Sequence, residues 1–306
     1  MPIRPVLLIP AAVLLFFLSP PSPCASERSL LQSGELTVEF DEPARPVAVE
    51  LAEEYRVAVG ELERTFGWEA GFGDGVRVLL YWEEEFEGLV GAGPVVAFAS
   101  SRDNLIVMGL LRAERDAVPV RSIFKHELAH LYLGRAVGEG NLPRWLNEGV
   151  AQWASGGVSE LLSVGSSTEL EKAALSGRLI PFEALEERFP RNERDLSLAY
   201  QQSLSFVNYL VARHGVEGLA GVLGRLRQGD AVEEAMDGAL GVGLEEMQGR
   251  WMARLRRENT LLRYLGENFY TLLFVFAALA TVYGFARAVA RARRYRDEDE
   301  EDGEAD

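Results

Sequence analysis

Two of the three histidines in this 306-residue chain stand four residues apart, in the run His126-Glu127-Leu128-Ala129-His130. On an α-helix, positions i and i+4 share a face, so both imidazoles can grip one metal ion. Glu127 lies about 100° round the same helix by the 3.6-residue period. There it can take a proton from water at the metal without being a ligand itself. In a chain this poor in histidine, a chance match is expected fewer than about one time in a hundred. The surrounding run from Val120 to Leu133, with Ile123, Leu128 and Leu131 about the histidines, reads as a largely apolar helix. Imidazoles in such surroundings are costly without a partner, whether metal or hydrogen bonds.

Catalytic zinc takes three protein ligands and keeps one position open for water. With one Cys and one further His in the chain, a carboxylate is the natural third donor. Residues 138–153 read as a glycine-stopped turn followed by a second helix. Pro143 suits its first position, where the missing N–H costs nothing. Glu148 then falls in that helix's second turn, antiparallel to the first and able to reach the metal. Glu139 competes for the role but lies in the turn and reads as solvated.

His-Glu-x-x-His followed by Asn147-Glu148-Gly149-Val150-Ala151, behind Leu142-Pro143-Arg144-Trp145, resembles the gluzincin zinc metallopeptidases. It looks most like their bacterial peptidase MA-like domains, distant relatives of thermolysin and the zinc aminopeptidases. The resemblance covers roughly residues 34–255 and is specific over 124–153. It implies one Zn2+ held by His126, His130 and Glu148, with Glu127 as general base. One position departs from thermolysin-like enzymes, which place an acidic residue four positions after the ligand glutamate to orient a zinc histidine. Here that position is Gln152, which can still hydrogen-bond an imidazole N–H. Peptidase MA-like domains often carry a Tyr-x-x-Ser similar to Tyr200 to Ser203. A Tyr200 hydroxyl over the metal would stabilise the oxyanion formed at the attacked carbonyl; the competing reading is a core tyrosine with a satisfied hydroxyl. His214, before Gly215 at a helix end, reads as structural.

The two ends of the chain constrain where such a site would work. Arg4, the apolar stretch 6–18 and the small residues after it read as a secretory signal, residues 1–26. Cys24 raises a lipoprotein alternative, although Pro23 fits a lipid-attachment box poorly. Residues 269–286 carry no charge, have Tyr270 and Tyr283 near their ends, and are followed by Arg287, Arg291, Arg293, Arg294 and Arg296. That reads as a transmembrane helix, residues 267–288, with a cytoplasmic C-terminal flank. The expected protein is therefore single-pass in the bacterial inner membrane, with its catalytic domain periplasmic. The formal net charge is −16, and eight of the acidic residues lie in the last ten positions. The remainder is still acidic, which disfavours a nucleic-acid partner. The acidic end of the cytoplasmic segment 289–306 reads as solvated and disordered.

The fold class these patterns support is α+β: a small mixed β-sheet packed on the metal-binding helix, as in zincins, then an all-helical subdomain and the membrane helix. The α/β part is expected over residues 27–118 and the helical part over 119–260. Strands are expected at 35–40, 76–82, 95–99 and 105–110, with a helix at 46–66 closed by Gly67. Residues 105–110 are either an edge strand to which an extended peptide adds, or an ordinary core strand. Helices are expected at 168–175, 182–189, 196–213, 216–226, 231–240 and 244–259. The function expected is hydrolysis of peptide bonds, with endopeptidase action favoured because no amino-terminus anchor is visible. The alternatives are a pseudopeptidase that binds peptides or proteins without cutting them, and a structural zinc domain, against which stands the lack of a fourth Cys or His nearby.

Overall fold

The computed structural model describes residues 28–69, 71–73, 75–91, 95–110, 119–138, 140–157 and 168–303; the expected signal segment and Glu139 lie outside them. Contacts divide the chain into two compact units, Met1–Glu139 with Ala154–Ser163, and Gly140–Trp153 with Val164–Asp306. Among the described residues there are a mixed five-stranded sheet and nine α-helices.

The first unit holds the sheet. Strands β1 (Ser29–Ser33) and β2 (Leu36–Phe40) pair antiparallel, and β2 runs parallel to β3 (Val76–Tyr81). Strand β3 runs parallel to β5 (Leu105–Gly109), which pairs antiparallel with β4 (Ala97–Ser100), giving the order β1-β2-β3-β5-β4. Alternation places Leu36, Val38 and Phe40 of β2 and Val76, Val78 and Leu80 of β3 in the core. Helix α1 (Arg45–Phe66) supplies the crossover that the parallel pair β2–β3 needs. It buries Leu51, Tyr55, Ala58, Leu62 and Phe66, and Gly67 ends it in the left-handed conformation at φ 76°.

Two elements of this unit have no counterpart in the expected pattern. In β1 half-buried and exposed residues alternate, so no apolar alternation marks it. Helix α2 (Glu83–Val90) opens on Glu83, Glu84 and Glu85, a run that suits a helix N-terminus. The alternative readings of residues 105–110 also separate: β5 lies inside the sheet with Ile106, Val107 and Met108 buried, and β4 forms the edge. Helix α3 (Val120–Leu133) packs on α1, β4 and β5.

The second unit is helical: α4 (Arg144–Ala154), α5 (Thr168–Ser176), α6 (Glu193–Arg227), α7 (Val232–Leu240), α8 (Leu244–Glu267) and α9 (Phe269–Gly303). Its core is aromatic, with ring centroids of Trp145 and Phe182 at 4.5 Å, Phe182 and Phe206 at 4.8 Å, and Phe206 and Trp251 at 5.6 Å. The helix expected at 182–189 is only a 3-10 turn, Phe182–Leu185. Its apolar residues face separate partners, since Phe189 lies edge-on to Tyr200 at 5.0 Å, and Pro190 steers Phe189 away from the helical region. The two helices expected on either side of Gly215 are both present: the span α6 is broken between them where that glycine takes the non-helical φ 73° and ψ 177°. Asn192 caps α6 by accepting from the Asp195 N–H at 2.9 Å.

Within α9, Phe269–Val289 is 21 residues long, apolar enough to cross a membrane, and none of its residues is buried. The helix runs on to Gly303, through the acidic end expected to be disordered. Alanine, arginine and glutamate there are all strong helix formers.

Candidate metal centre

Helix α3 brings the two histidines to one point. Their Nε2 atoms are 3.1 Å apart and their rings meet edge-on at 4.6 Å. Two nitrogens on one tetrahedral zinc, each at about 2.0–2.1 Å, would stand about 3.3 Å apart. His126 and Glu127 are fully buried and His130 is half-buried. The helix is held on several sides: Leu128 and Leu131 lie in the core, and Lys125 pairs with Glu61 of α1. The Tyr132 hydroxyl donates to the Trp68 carbonyl at 2.8 Å, and its ring stacks on Phe66 at 5.8 Å. The chemistry-bearing turn is thus fixed by packing on both flanks, which a ligand pair needs to stay aligned.

Helix α4 positions Glu148. The Arg144 N–H donates to the Glu186 carbonyl at 2.7 Å, while Leu146 and Asn147 N–H groups both donate to the Pro143 carbonyl at 3.0 Å. Pro143 therefore sits just before the helix and contributes its carbonyl, one position earlier than expected. Glu148 is 5% exposed, and its Oε1 lies 3.5 Å from Arg144 Nη2. That guanidinium also stacks over the Phe189 ring at 5.1 Å.

The residue after Glu148 is glycine for want of space. A Cβ on Gly149 would lie 2.6 Å from the Ser203 carbonyl oxygen and 2.7 Å from Val207 Cγ2. Helix α4 thus approaches the backbone of α6 closely at the turn that carries Glu148. Gly149→Ala is expected to lower stability by about 1–3 kcal/mol, the usual cost of overpacking, read as a fall in Tm. An unchanged Tm would show that the two helices can part without cost.

Gln152 has a task that the motif alone did not reveal. It is fully buried, and its Nε2 donates to the Glu148 carbonyl at 3.2 Å and the Tyr200 carbonyl at 3.1 Å. It therefore ties α4 to α6, a job that the acidic residue of thermolysin-like enzymes cannot do because a carboxylate has no donors. Gln152→Glu is expected to lower stability by about 1–3 kcal/mol through unsatisfied buried carbonyls. Thermal unfolding with and without added zinc checks this; higher zinc affinity at unchanged Tm would assign the side chain to orienting a histidine instead.

Tyr200 is buried on α6 beside Phe189. Ser203 Oγ donates back to the Ala199 carbonyl at 2.8 Å, an ordinary helix contact. The two glutamines between them went unremarked in the sequence. Gln202 both donates to the Ile180 carbonyl and accepts its N–H, each at 2.9 Å, while Gln201 accepts from the Leu170 N–H at 3.2 Å. A run of buried polar residues on an apolar helix was the available signal. His214 is half-buried, just before the break of α6 at Gly215.

Among the described residues, His126, His130 and Glu148 make up the group of three that could hold a metal ion, their ligand atoms lying within 4.8 Å of one another. Two imidazoles and one carboxylate are the donor set of catalytic zinc sites that keep an open position, so the residues present fit such an ion. No curated protein matches the chain. The family model of the peptidase MA superfamily matches residues 83–257, which includes both histidines, Glu127 and Glu148 and spans more than half of the sequence. The chain belongs to the peptidase MA superfamily.

Proposed function

We propose that the chain is a membrane-anchored zinc metallopeptidase of the gluzincin type, in which His126, His130 and Glu148 hold one Zn2+ and Glu127 is the general base. The observation that carries this reading is the convergence of three ligand atoms within 4.8 Å beside a buried glutamate placed between the two histidines. When bound, zinc would lower the pKa of water and polarise the carbonyl to be attacked. Glu127 accepts a proton from the attacking water and delivers it to the departing amine. Arg144 steadies Glu148 through the 3.5 Å contact, and Tyr200 is the proposed donor to the oxyanion of the attacked carbonyl. A structural zinc site would be closed by four ligands, whereas the group found among the described residues offers three.

The proposed location rests on Phe269–Val289 as a membrane span and on the arginines at 287, 291, 293, 294 and 296 as its cytoplasmic flank. The catalytic part then lies outside the cytoplasm of a bacterial cell. Full-length protein in detergent is expected to carry about one zinc and to hydrolyse a casein-type substrate. A chelator should abolish the activity and stoichiometric zinc restore it. Bound zinc without hydrolysis would replace this reading with that of a peptide-binding pseudopeptidase. Membranes washed in alkaline carbonate are expected to retain the chain; its release would remove the anchor.

A further inference from the structure

The second unit has two adjoining cavities, and their linings differ in character. One, of about 490 Å³, is lined by Leu170, Leu204, Trp251 and Leu255 together with Gln201 and Asn208. That volume is in the range of small-molecule sites. The other, of about 640 Å³, is lined by Arg213 of α6 and by Arg250, Arg254 and Arg257 of α8. They share Tyr209, Ala212 and Arg254 as common wall, and no Asp or Glu stands among the described residues that line them.

The arrangement follows from helical spacing. Positions 250, 254 and 257 are i, i+4 and i+7, so α8 presents its arginines as one stripe, while 251 and 255 turn their apolar side chains into the first cavity. Arg250 pairs with Glu246 at 2.6 Å, and the Arg254 guanidinium lies 5.7 Å from the Tyr209 ring centroid. Four guanidinium groups line one cavity in a chain of net charge −16, where acidic partners are plentiful, yet Arg213 and Arg257 take none among the described residues. Phosphate is the anion that guanidinium forks match best, and an apolar cavity sharing a wall with the fork suits a hydrocarbon tail.

We propose that α6 and α8 bind an anionic phospholipid, with its phosphate on Arg213, Arg250, Arg254 and Arg257 and an acyl chain in the Trp251 cavity. The occupant is argued from charge complementarity and from position: only Asn268 separates α8 from the apolar span of α9. Phe269 follows Arg257 by twelve positions, about 18 Å of helix. The proposal therefore requires α8 to lie along the headgroup layer rather than stand upright on it. It rests on the membrane-anchored part of the proposed function and is independent of the metal chemistry.

The test uses the full chain in detergent micelles, titrated with phosphatidylglycerol brominated on its acyl chains. Phosphatidylcholine brominated in the same way and inorganic phosphate are the comparison probes. Phosphatidylglycerol is expected to quench a tryptophan component that Trp251→Phe removes. At about fivefold per arginine, Arg213→Gln with Arg257→Gln should weaken half-saturation about 30-fold. Lysine at both positions should restore most of the binding, and casein hydrolysis in detergent should be unchanged in either variant. Should Trp251→Phe fail to fold, native mass spectrometry of co-purified lipid gives the same comparison through the arginine variants alone. Equal quenching by phosphatidylcholine, or no effect of the glutamine substitutions, overturns the site. Displacement of the lipid by inorganic phosphate at equal concentration makes it a free-phosphate site and overturns the lipid assignment. A chain retained in carbonate-washed membranes yet indifferent to headgroup overturns this proposal alone, whereas a chain released from them overturns the anchor.

Discussion

Glu127→Gln is expected to lower kcat on a casein-type substrate by about 10²–10⁴, the span that a positioned acid–base group usually supplies, while leaving about one zinc bound. Glutamine keeps the shape of the side chain and its ability to hydrogen-bond, but it cannot carry a proton from water to a leaving amine. Glu127 shares α3 with His126 and His130 and is fully buried. The substitution therefore removes a buried carboxylate without touching a proposed ligand. Retained zinc is the decisive control. If kcat falls and zinc falls with it, Glu127 supports the metal and not the proton transfer. If zinc stays and neither wild type nor variant cuts, the chain is a binding module. If the variant cuts as fast as wild type, another group is the base. The effect should fall on kcat more than on KM, because proton transfer matters only as the transition state is reached.

The parts of this molecule that were legible in the sequence are those set by short-range spacing. His126 and His130 had to share a face once their run was helical, and the 3.1 Å separation of their Nε2 atoms is that periodicity made concrete. The alternation of β2 and β3, the apolar stripe of α1 and its stop at Gly67 follow the same logic. Illegible were features whose cause lies elsewhere in the chain. Nothing in Gly149 announces that the Ser203 carbonyl occupies the place of its missing Cβ. Gln152 reads in the sequence as a partner for a histidine imidazole; its bond to the carbonyl of Tyr200, 48 residues away, is a further task that no local pattern announces. The apolar spacing of 182–189 mimics a helix because Phe182 and Phe189 meet different aromatic neighbours, which periodicity cannot distinguish from one common face. The α8 arginines share a stripe by spacing alone, but Arg213 joins them only through the packing of α6 beside α8.

Glu148→Ala should weaken zinc binding by more than about 100-fold, beyond the 10–100-fold typical of residues that merely support a ligand. Catalytic zinc with three protein ligands would be left with two, and His126 and His130 alone also present the geometry of a weak, adventitious site. The physical consequence extends to stability. A metal that binds only the folded chain stabilises it by RT ln(1 + [L]/Kd), about 2.7 kcal/mol when zinc is at 100 times its Kd. Wild type is thus expected to show a clear rise in Tm with added zinc, whereas Glu148→Ala should show little at the same concentration. The apo forms separate two causes. Glu148 is 5% exposed and faces Arg144 at 3.5 Å, so its removal leaves that guanidinium without its carboxylate, and the apo variant should unfold somewhat earlier than the apo wild type by an amount that owes nothing to zinc. Glu148→Asp keeps the charge on a side chain one methylene shorter and should recover part of the zinc response. Full zinc affinity in Glu148→Ala would mean that the third ligand is another residue, and would remove the carboxylate on which the gluzincin assignment depends.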